Sequence, residues 1–457
     1  MAQRRLSQPE AGDPPLRPRL ADQPSRFVLL EREVELEYRP QMLEALQRKV
    51  DTVAEEARVI VPECPQCGQP MSYHGARPVS WLAHWGRLQA SPARYRCSAC
   101  QQERRPLLDL LGVEPGRICG SLARLLGLLA VVAPYELAAR LARLLLGVTI
   151  SAMGVWRVAQ RLGQAAANYS EALSQYHADS RSEGASVAQA PSAVILGVDG
   201  CTLGMQVRTH RRRRVGTEPL PALPVIEQGH FREVKTGVLL LPSERVETTP
   251  GRRSVVRRFL VTCLGEADEI FRRLYAQLRE MGWVGSHTVV VIVGDGAEWI
   301  WNLADPYFPG AVQIVDLYHA RQHLWELARR LYPNQEANQK AWIKIHQKRL
   351  LDKGKIEKLV TALRSIQSTN SEVAEKIRTE ADYFERNAER MHYPTFRRQH
   401  LFVGSGVIEA GCKTVIGSRL KRSGMFWTVR GANAILALRC CHLNGRFEDY
   451  WEARRAA

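Results

Sequence analysis

Two Cys-x-x-Cys pairs, Cys64-Pro65-Gln66-Cys67 and Cys97-Ser98-Ala99-Cys100, place four soft donors in two tight turns. Thiolates so arranged are the donor set of a tetrahedral Zn2+, and Gly68 after the first pair permits the turn that a knuckle requires. Four protein ligands leave no open coordination position, so the expected Zn2+ is structural; the bland alternative is four unpaired buried thiols. Cys119, Cys201, Cys263, Cys412, Cys440 and Cys441 show no partner spacing and read as core residues.

A second donor set is oxygen. Asp199, Asp295 and Asp316 each follow an apolar run, which puts acids at the carboxyl ends of strands, where ligand sites of α/β sheets gather. One such Asp alone is a routine turn or cap residue. The set argues for chemistry, because Gly197-Val198-Asp199-Gly200 and Gly294-Asp295-Gly296 leave their carboxylates uncovered by neighbouring side chains. Two Asp on neighbouring strands could bind one or two Mg2+ (or Mn2+) ions through oxygen, poised for phosphodiester hydrolysis. Glu409, in Gly404-Ser405-Gly406-Val407-Ile408-Glu409, supplies a third ligand from a helix that Ser405 is expected to cap. Its competing role is an i,i+4 pair with Lys413, worth ~0.5 kcal/mol at best. Glu409 is the only acid between Arg397 and Arg439, among eight Lys/Arg, which favours a metal ligand facing a bound phosphate.

His319 and His323 stand at i and i+4, also a zinc spacing, but no Glu lies between them as in metalloproteases. His319 is expected to contact a phosphate or to bond Asp316. The alternative is a packed His beside a helix-capping Asp.

The elements that must position these groups divide the chain. Residues 1–25 read as a Pro-interrupted disordered tail, and 26–61 as a helical segment broken by Pro40. A zinc ribbon is expected over 62–106, with Trp81, Trp85 and Tyr95 in its hairpin, followed by an all-α segment over 107–176. In that segment Gly147 ends one helix and Ser151 caps the next, a helix-turn-helix-like pattern that would turn Arg157, Gln160, Arg161 and Gln164 toward DNA. A linker is expected over 177–192. Apolar runs then predict strands at 193–198, 232–241, 258–264, 288–293 and 311–315, with an amphipathic helix at 266–281. Residues 320–400 read as an all-α insertion, 405–443 as two helices around a loop, and 446–457 as a C-terminal tail. The fold class is α/β.

Order and wording together resemble a known family. Strand-Asp, two strands, helix, strand-Asp, helical insertion and helix-Glu is the layout of RNase H-like DDE transposases. Asp316-Leu317-Tyr318-His319 resembles the Cys/Asp-x-x-His signature of their Mutator-type branch. Gly294-Asp295-Gly296-Ala297-Glu298-Trp299-Ile300-Trp301, Val315 to Ala320 and Gly404 to Lys413 look like the Kra-group bacterial insertion-sequence transposases, over about residues 60–445. The resemblance implies an RNase H-like catalytic domain over 193–319 and 401–445. It implies a catalytic triad of Asp199, Asp295 and Glu409 with Asp316 and His319 as an auxiliary pair. It also implies binding of element ends, cleavage, and joining of the 3′-hydroxyl to target DNA by two metal ions ~3.5–4 Å apart. The rivals are a non-catalytic, domesticated DNA-binding regulator and an RNase H-like nuclease without strand transfer.

Charge agrees with a polyanion partner. The 457 residues carry a formal net charge of +17, with 45% hydrophobic and 24% charged residues, which excludes wholesale disorder. Residues 208–258 hold 12 Lys/Arg against 5 Asp/Glu, and residues 397–439 hold 8 against 1. Arg211, Arg212, Arg213 and Arg214, beside Asp199, would clamp a DNA backbone, as would Lys413, Arg419, Lys421 and Arg422 after Glu409. Trp427 would stack on an unpaired base or serve as core. The expected partner is double-stranded DNA, bound by a homodimer or higher oligomer. The best apolar stretch, 125–133, falls short of the ~20 residues of a membrane span, and no signal peptide is expected, so the reading is cytoplasmic and nucleoid-associated.

Overall fold

The computed structural model describes residues 25–179, 190–206, 230–249, 252–404 and 406–456. It divides into two compact units, Met1–Leu125 with Arg140–Ile150, and Leu126–Ala139 with Ser151–Ala457. The tail over 1–24, the centre of the expected linker, the Arg211–Arg214 run and Ser405 lie outside the described residues.

The first unit opens with α1 (Arg26–Glu56), whose N-cap Ser25 accepts from the Val28 N–H through its hydroxyl. Pro40 does not break this helix as expected but lies inside it. Its missing N–H orphans only the carbonyl of Leu36, a residue 77% exposed, where water can substitute. Leu43, Leu46 and Val50 recur at helical spacing and pack on Val79, Trp81, Ala83 and Leu88. The strands are β1 (Ser72–Ala76), β2 (Val79–Leu82), β3 (Arg87–Ala90), β4 (Ala93–Arg96) and β5 (Glu103–Arg104), then α2 (Pro106–Leu110), β6 (Val113–Glu114) and β7 (Ile118–Cys119). They form two small sheets, β1-β4-β5 and β3-β2-β7-β6. The hairpin of Trp81 therefore belongs to the second sheet, and residues 113–119 are strands inside a segment expected to be all-α. Left-handed backbone at Gly112, Gly116 and Arg117 stops the helix there, and the Arg117 carbonyl accepts from the Leu82 N–H at 2.8 Å.

Three helices follow: α3 (Gly120–Val132), α4 (Tyr135–Leu146) and α5 (Ala152–Asp179). Gly147 is left-handed after α4, and Ser151 Oγ accepts from the Gly154 N–H at 3.1 Å, which caps α5.

The second unit is built on a five-stranded sheet of β8 (Ala193–Gly204), β9 (Phe231–Leu240), β12 (Phe259–Cys263), β13 (Val289–Gly294) and β14 (Val312–Val315); a separate hairpin pairs β10 (Arg245–Thr249) with β11 (Arg252–Val255). The strand order is β12-β9-β8-β13-β14, antiparallel from β12 to β8 and parallel from β8 to β14. Helix α6 (Ala267–Glu280) connects β12 to β13, and α7 (Glu298–Tyr307) connects β13 to β14. Helices α8 (Leu317–Leu331), α9 (Glu336–Ile345), α10 (Ile356–Arg364), α11 (Ser371–Arg386) and α12 (Tyr393–Arg398) follow. The chain ends in α13 (Gly406–Cys412), a π-helical turn Lys413–Gly417, α14 (Ser418–Leu420), α15 (Val429–Leu443) and α16 (Phe447–Ala456). The expected C-terminal tail is thus a packed helix: Phe447, Tyr450 and Trp451 are buried, and Tyr450 Oη donates to the Leu162 carbonyl at 2.6 Å.

Candidate active site

Register brings the first two acids together. Gly197 of β8 pairs with Val293 of the parallel β13, and Asp199 and Asp295 each stand two residues further on. With a side-chain period of two, both carboxylates leave the same face of the sheet, side by side. Asp199 is not at a strand end as expected, because β8 continues to Gly204; Asp295 does directly follow β13. Glu409 arrives on α13, which packs against β8 and β9 through two glycines. A Cβ on Gly197 would stand 2.0 Å from Ile408, and one on Gly411 would stand 2.7 Å from Val238.

Asp199, Asp295, Asp316, Tyr318, His319, Gln322 and Glu409 line one recess together with Val198 and Gly294. Asp199 Oδ1 accepts from the Gly200 N–H at 2.7 Å, and Oδ2 accepts from the Cys412 thiol at 3.6 Å. Asp295 Oδ1 accepts from the Ala297 N–H at 2.9 Å. Burial pushes the Asp199 carboxyl up, and the charges of Asp295 and Glu409 push the same way, outweighing the two hydrogen bonds. Glu409 also makes its alternative contact, a 3.6 Å pair with the exposed Lys413.

Asp316 is a helix cap. It is 1% exposed, and its Oδ1 accepts from the N–H groups of Tyr318 and His319 at the start of α8. The His319 ring turns to His323 instead, Nε2 to Nε2 at 3.1 Å, and His323 Nδ1 reaches Glu380 at 2.7 Å. Burial and the neighbouring His323 lower the His319 pKa against the pull of Asp295 and Asp316. Tyr383 stacks on His323 at 4.1 Å and donates to the Asp295 backbone carbonyl at 2.9 Å. Sequence reasoning missed Glu380, Tyr383 and Cys412. Cys412 was within reach, three residues after Glu409 on one helix face, but nothing local ties Glu380 to a histidine 57 positions earlier.

The four cysteines of the first unit close into one cluster. Their ligand atoms all lie within 4.8 Å of one another, and Cys67 Sγ stands 3.6 Å from Cys97 Sγ. A tetrahedral site with Zn–S of about 2.3 Å has S–S edges of about 3.8 Å, so the four could hold a structural metal such as zinc. The two turns are built alike. Gly68 and Gln101 are both left-handed, and their N–H groups return to the carbonyls of Cys64 and Cys97 at 2.8 and 3.0 Å. The Cys100 N–H helps to lower the Cys97 thiol to about 7.

The basic residues scatter. Lys413, Lys421 and Arg422 are exposed, whereas Arg419 is 1% exposed, which corrects its expected place on a DNA-binding surface; Trp427, 7% exposed, takes its alternative place in the core. Arg419 donates to the Ala130 carbonyl at 2.9 Å and lies over the Tyr135 and Trp427 rings, so it is a core cation closing a helix end. On α5 Arg157 and Gln164 are exposed and Arg161 is half-buried, but Gln160, 4% exposed, faces inward with Val155, Val158 and Leu162 rather than toward DNA.

Residues 239–455 match the model of an uncharacterised protein family (UPF0236). The match includes Asp295, Asp316, His319, Glu380 and Glu409 but begins after Asp199. No curated protein matches the chain. Among the described residues, no helix is long and apolar enough to cross a membrane.

A divalent cation suits the recess by donor chemistry. It offers hard carboxylate oxygens, and the Asp199 carboxyl is raised in pKa first by burial and then by its acidic neighbours, a repulsion that a cation would relieve.

Proposed function

We propose that this chain is a DNA transposase with an RNase H-like catalytic unit, which cleaves phosphodiesters at element ends and joins the freed 3′-hydroxyl to target DNA. The observation that carries the reading is the convergence of Asp199, Asp295 and Glu409 on one recess from a central strand, a neighbouring parallel strand and a helix seated on the sheet. An antiparallel trio continued by two parallel strands, with the first strand in sequence at the centre, supports the RNase H-like reading.

Asp199, Asp295 and Glu409 would hold Mg2+ or Mn2+, which supplies charge stabilisation at phosphate oxygens and lowers the pKa of a bound water. The chain itself aims these groups. The Ala297 N–H fixes one oxygen of Asp295 and leaves the other to the recess, while Tyr383 anchors its backbone. Lys413, Lys421 and Arg422 would hold the phosphate backbone, and pairing of two element ends would require at least a homodimer.

The Glu409–Lys413 pair favours a second reading, a DNA-binding regulator that performs no cleavage. Incubating the full chain with element-end duplexes, Mg2+ and a target plasmid separates the readings. Joined product supports a transposase, cleavage without joining a nuclease, and binding alone the regulator.

A further inference from the structure

Three groups beside the recess form a chain that the acid triad does not use. Glu380, 1% exposed on α11, meets Lys376 at 2.5 Å and His323 Nδ1 at 2.7 Å; His323 Nε2 meets His319 Nε2 at 3.1 Å. The far nitrogen of His319, Nδ1, has no partner among the described residues, and His319 lines the recess. Tyr383, one helical turn from Glu380, stacks on the His323 ring at 11° and so fixes its plane.

Proton placement follows from donors and acceptors. Burial raises the Glu380 carboxyl, but His323 and Lys376 outweigh it and hold the group in its anionic form, an acceptor only. His323 therefore carries a proton on Nδ1, and as a neutral ring it offers a lone pair at Nε2. Two ring nitrogens 3.1 Å apart share one proton, which with His323 neutral belongs to His319 Nε2. His319 Nδ1 is left with a lone pair.

We infer that Glu380, acting through His323, is a positioning residue that sets His319 as a proton acceptor at the recess. A proton taken up at His319 Nδ1 is matched by transfer of the Nε2 proton to His323 Nε2, giving an imidazolium held by the Glu380 carboxylate. No bond other than N–H and O–H changes. Glu326, Asp295 and Asp316 also face His319, and Lys376 faces Glu380 from its own helix. The acceptor role rests on the hydrolytic reading of the recess, whereas the tautomer arrangement does not.

The test is the 15N spectrum of the full chain labelled only at histidine, assigned with His319→Asn and His323→Asn. The expected result at neutral pH is His323 protonated on Nδ1 and His319 on Nε2. Replacing Glu380 with Gln, which can donate as well as accept, is expected to shift the proton in at least one ring and to slow DNA cleavage about 10-fold or more, with Glu380→Asp recovering part of the loss. A proton on His319 Nδ1 in the unmodified protein overturns the proposal, whether or not any variant folds. Unchanged ring protonation and cleavage in Glu380→Gln also overturn it. If the protein cleaves no DNA at all, the hydrolytic reading fails, and the ring spectra still decide whether Glu380 sets the tautomers.

Discussion

Gly197 and Ile408 are in contact so close that a single added carbon would not fit: a Cβ on Gly197 would stand 2.0 Å from Ile408 Cγ1. Gly197 precedes Asp199 by two residues and Ile408 immediately precedes Glu409. The absence of a side chain at one position therefore sets how near the third acid comes to the first.

Substituting Gly197 by Ala should push α13 off the strand. We expect a loss of about 1–3 kcal/mol in folding stability, together with loss of cleavage in the protein that remains folded. Chemical denaturation and a cleavage assay on the same preparation check this.

Asp199 should carry a stability cost. Its folded pKa is raised by burial and by Asp295 and Glu409, so the ionised form is disfavoured by folding. The cost is present at neutral pH, begins to fall as pH drops through the folded pKa and is gone below the unfolded one. Asp199→Asn should thus raise the thermal midpoint at pH 7 without Mg2+, and the gap from the unmodified protein should close in acid. Mg2+ should stabilise the unmodified protein and leave Asp199→Asn unchanged. Thermal scans with and without the ion provide the measurement.

The apolar runs between Ala193 and Val315 fall on the five strands of the sheet, because strands buried on both faces read as continuous Val, Ile and Leu in its antiparallel half as in its parallel half. The acids were legible for the same reason, standing where those runs stop or turn to glycine. The burial of Arg419 was not. A basic residue beside other basic residues suggests solvent, and contacts far off in sequence, the Ala130 carbonyl 289 positions away and the Tyr135 ring, make Arg419 a core residue. The short strands at 113–119 escaped because two-residue strands carry no period, and α1 ran through Pro40 where a break was expected.

Arg419 and Arg439 should matter for folding and not for DNA. Arg439, 5% exposed, donates to the carbonyls of Val415, Thr414 and Val131, and burial brings its pKa down to about 10. Arg439→Leu orphans those carbonyls at about 1–3 kcal/mol each where water cannot enter. Lys421→Ala, by contrast, should leave the denaturation midpoint unchanged and reduce the slope of log affinity against log salt by about 0.9. Titrations at several salt concentrations, alongside denaturation curves, separate the two classes.

The cysteine cluster should bind about one Zn2+ per chain, lost in Cys97→Ser. A chelator should abolish amide protection in β1, β4 and β5, where Tyr95 packs beside the ligands in a core too small to hold by apolar contact alone. Elemental analysis and hydrogen exchange read these outcomes.

The acid triad is tested most directly by cleavage of a labelled element-end duplex in Mg2+, comparing the unmodified chain with Asp295→Asn. The account predicts cut strands from the first and a rate lower by about 10³-fold or more from the second, with DNA affinity retained. Equal rates from the two proteins would contradict it.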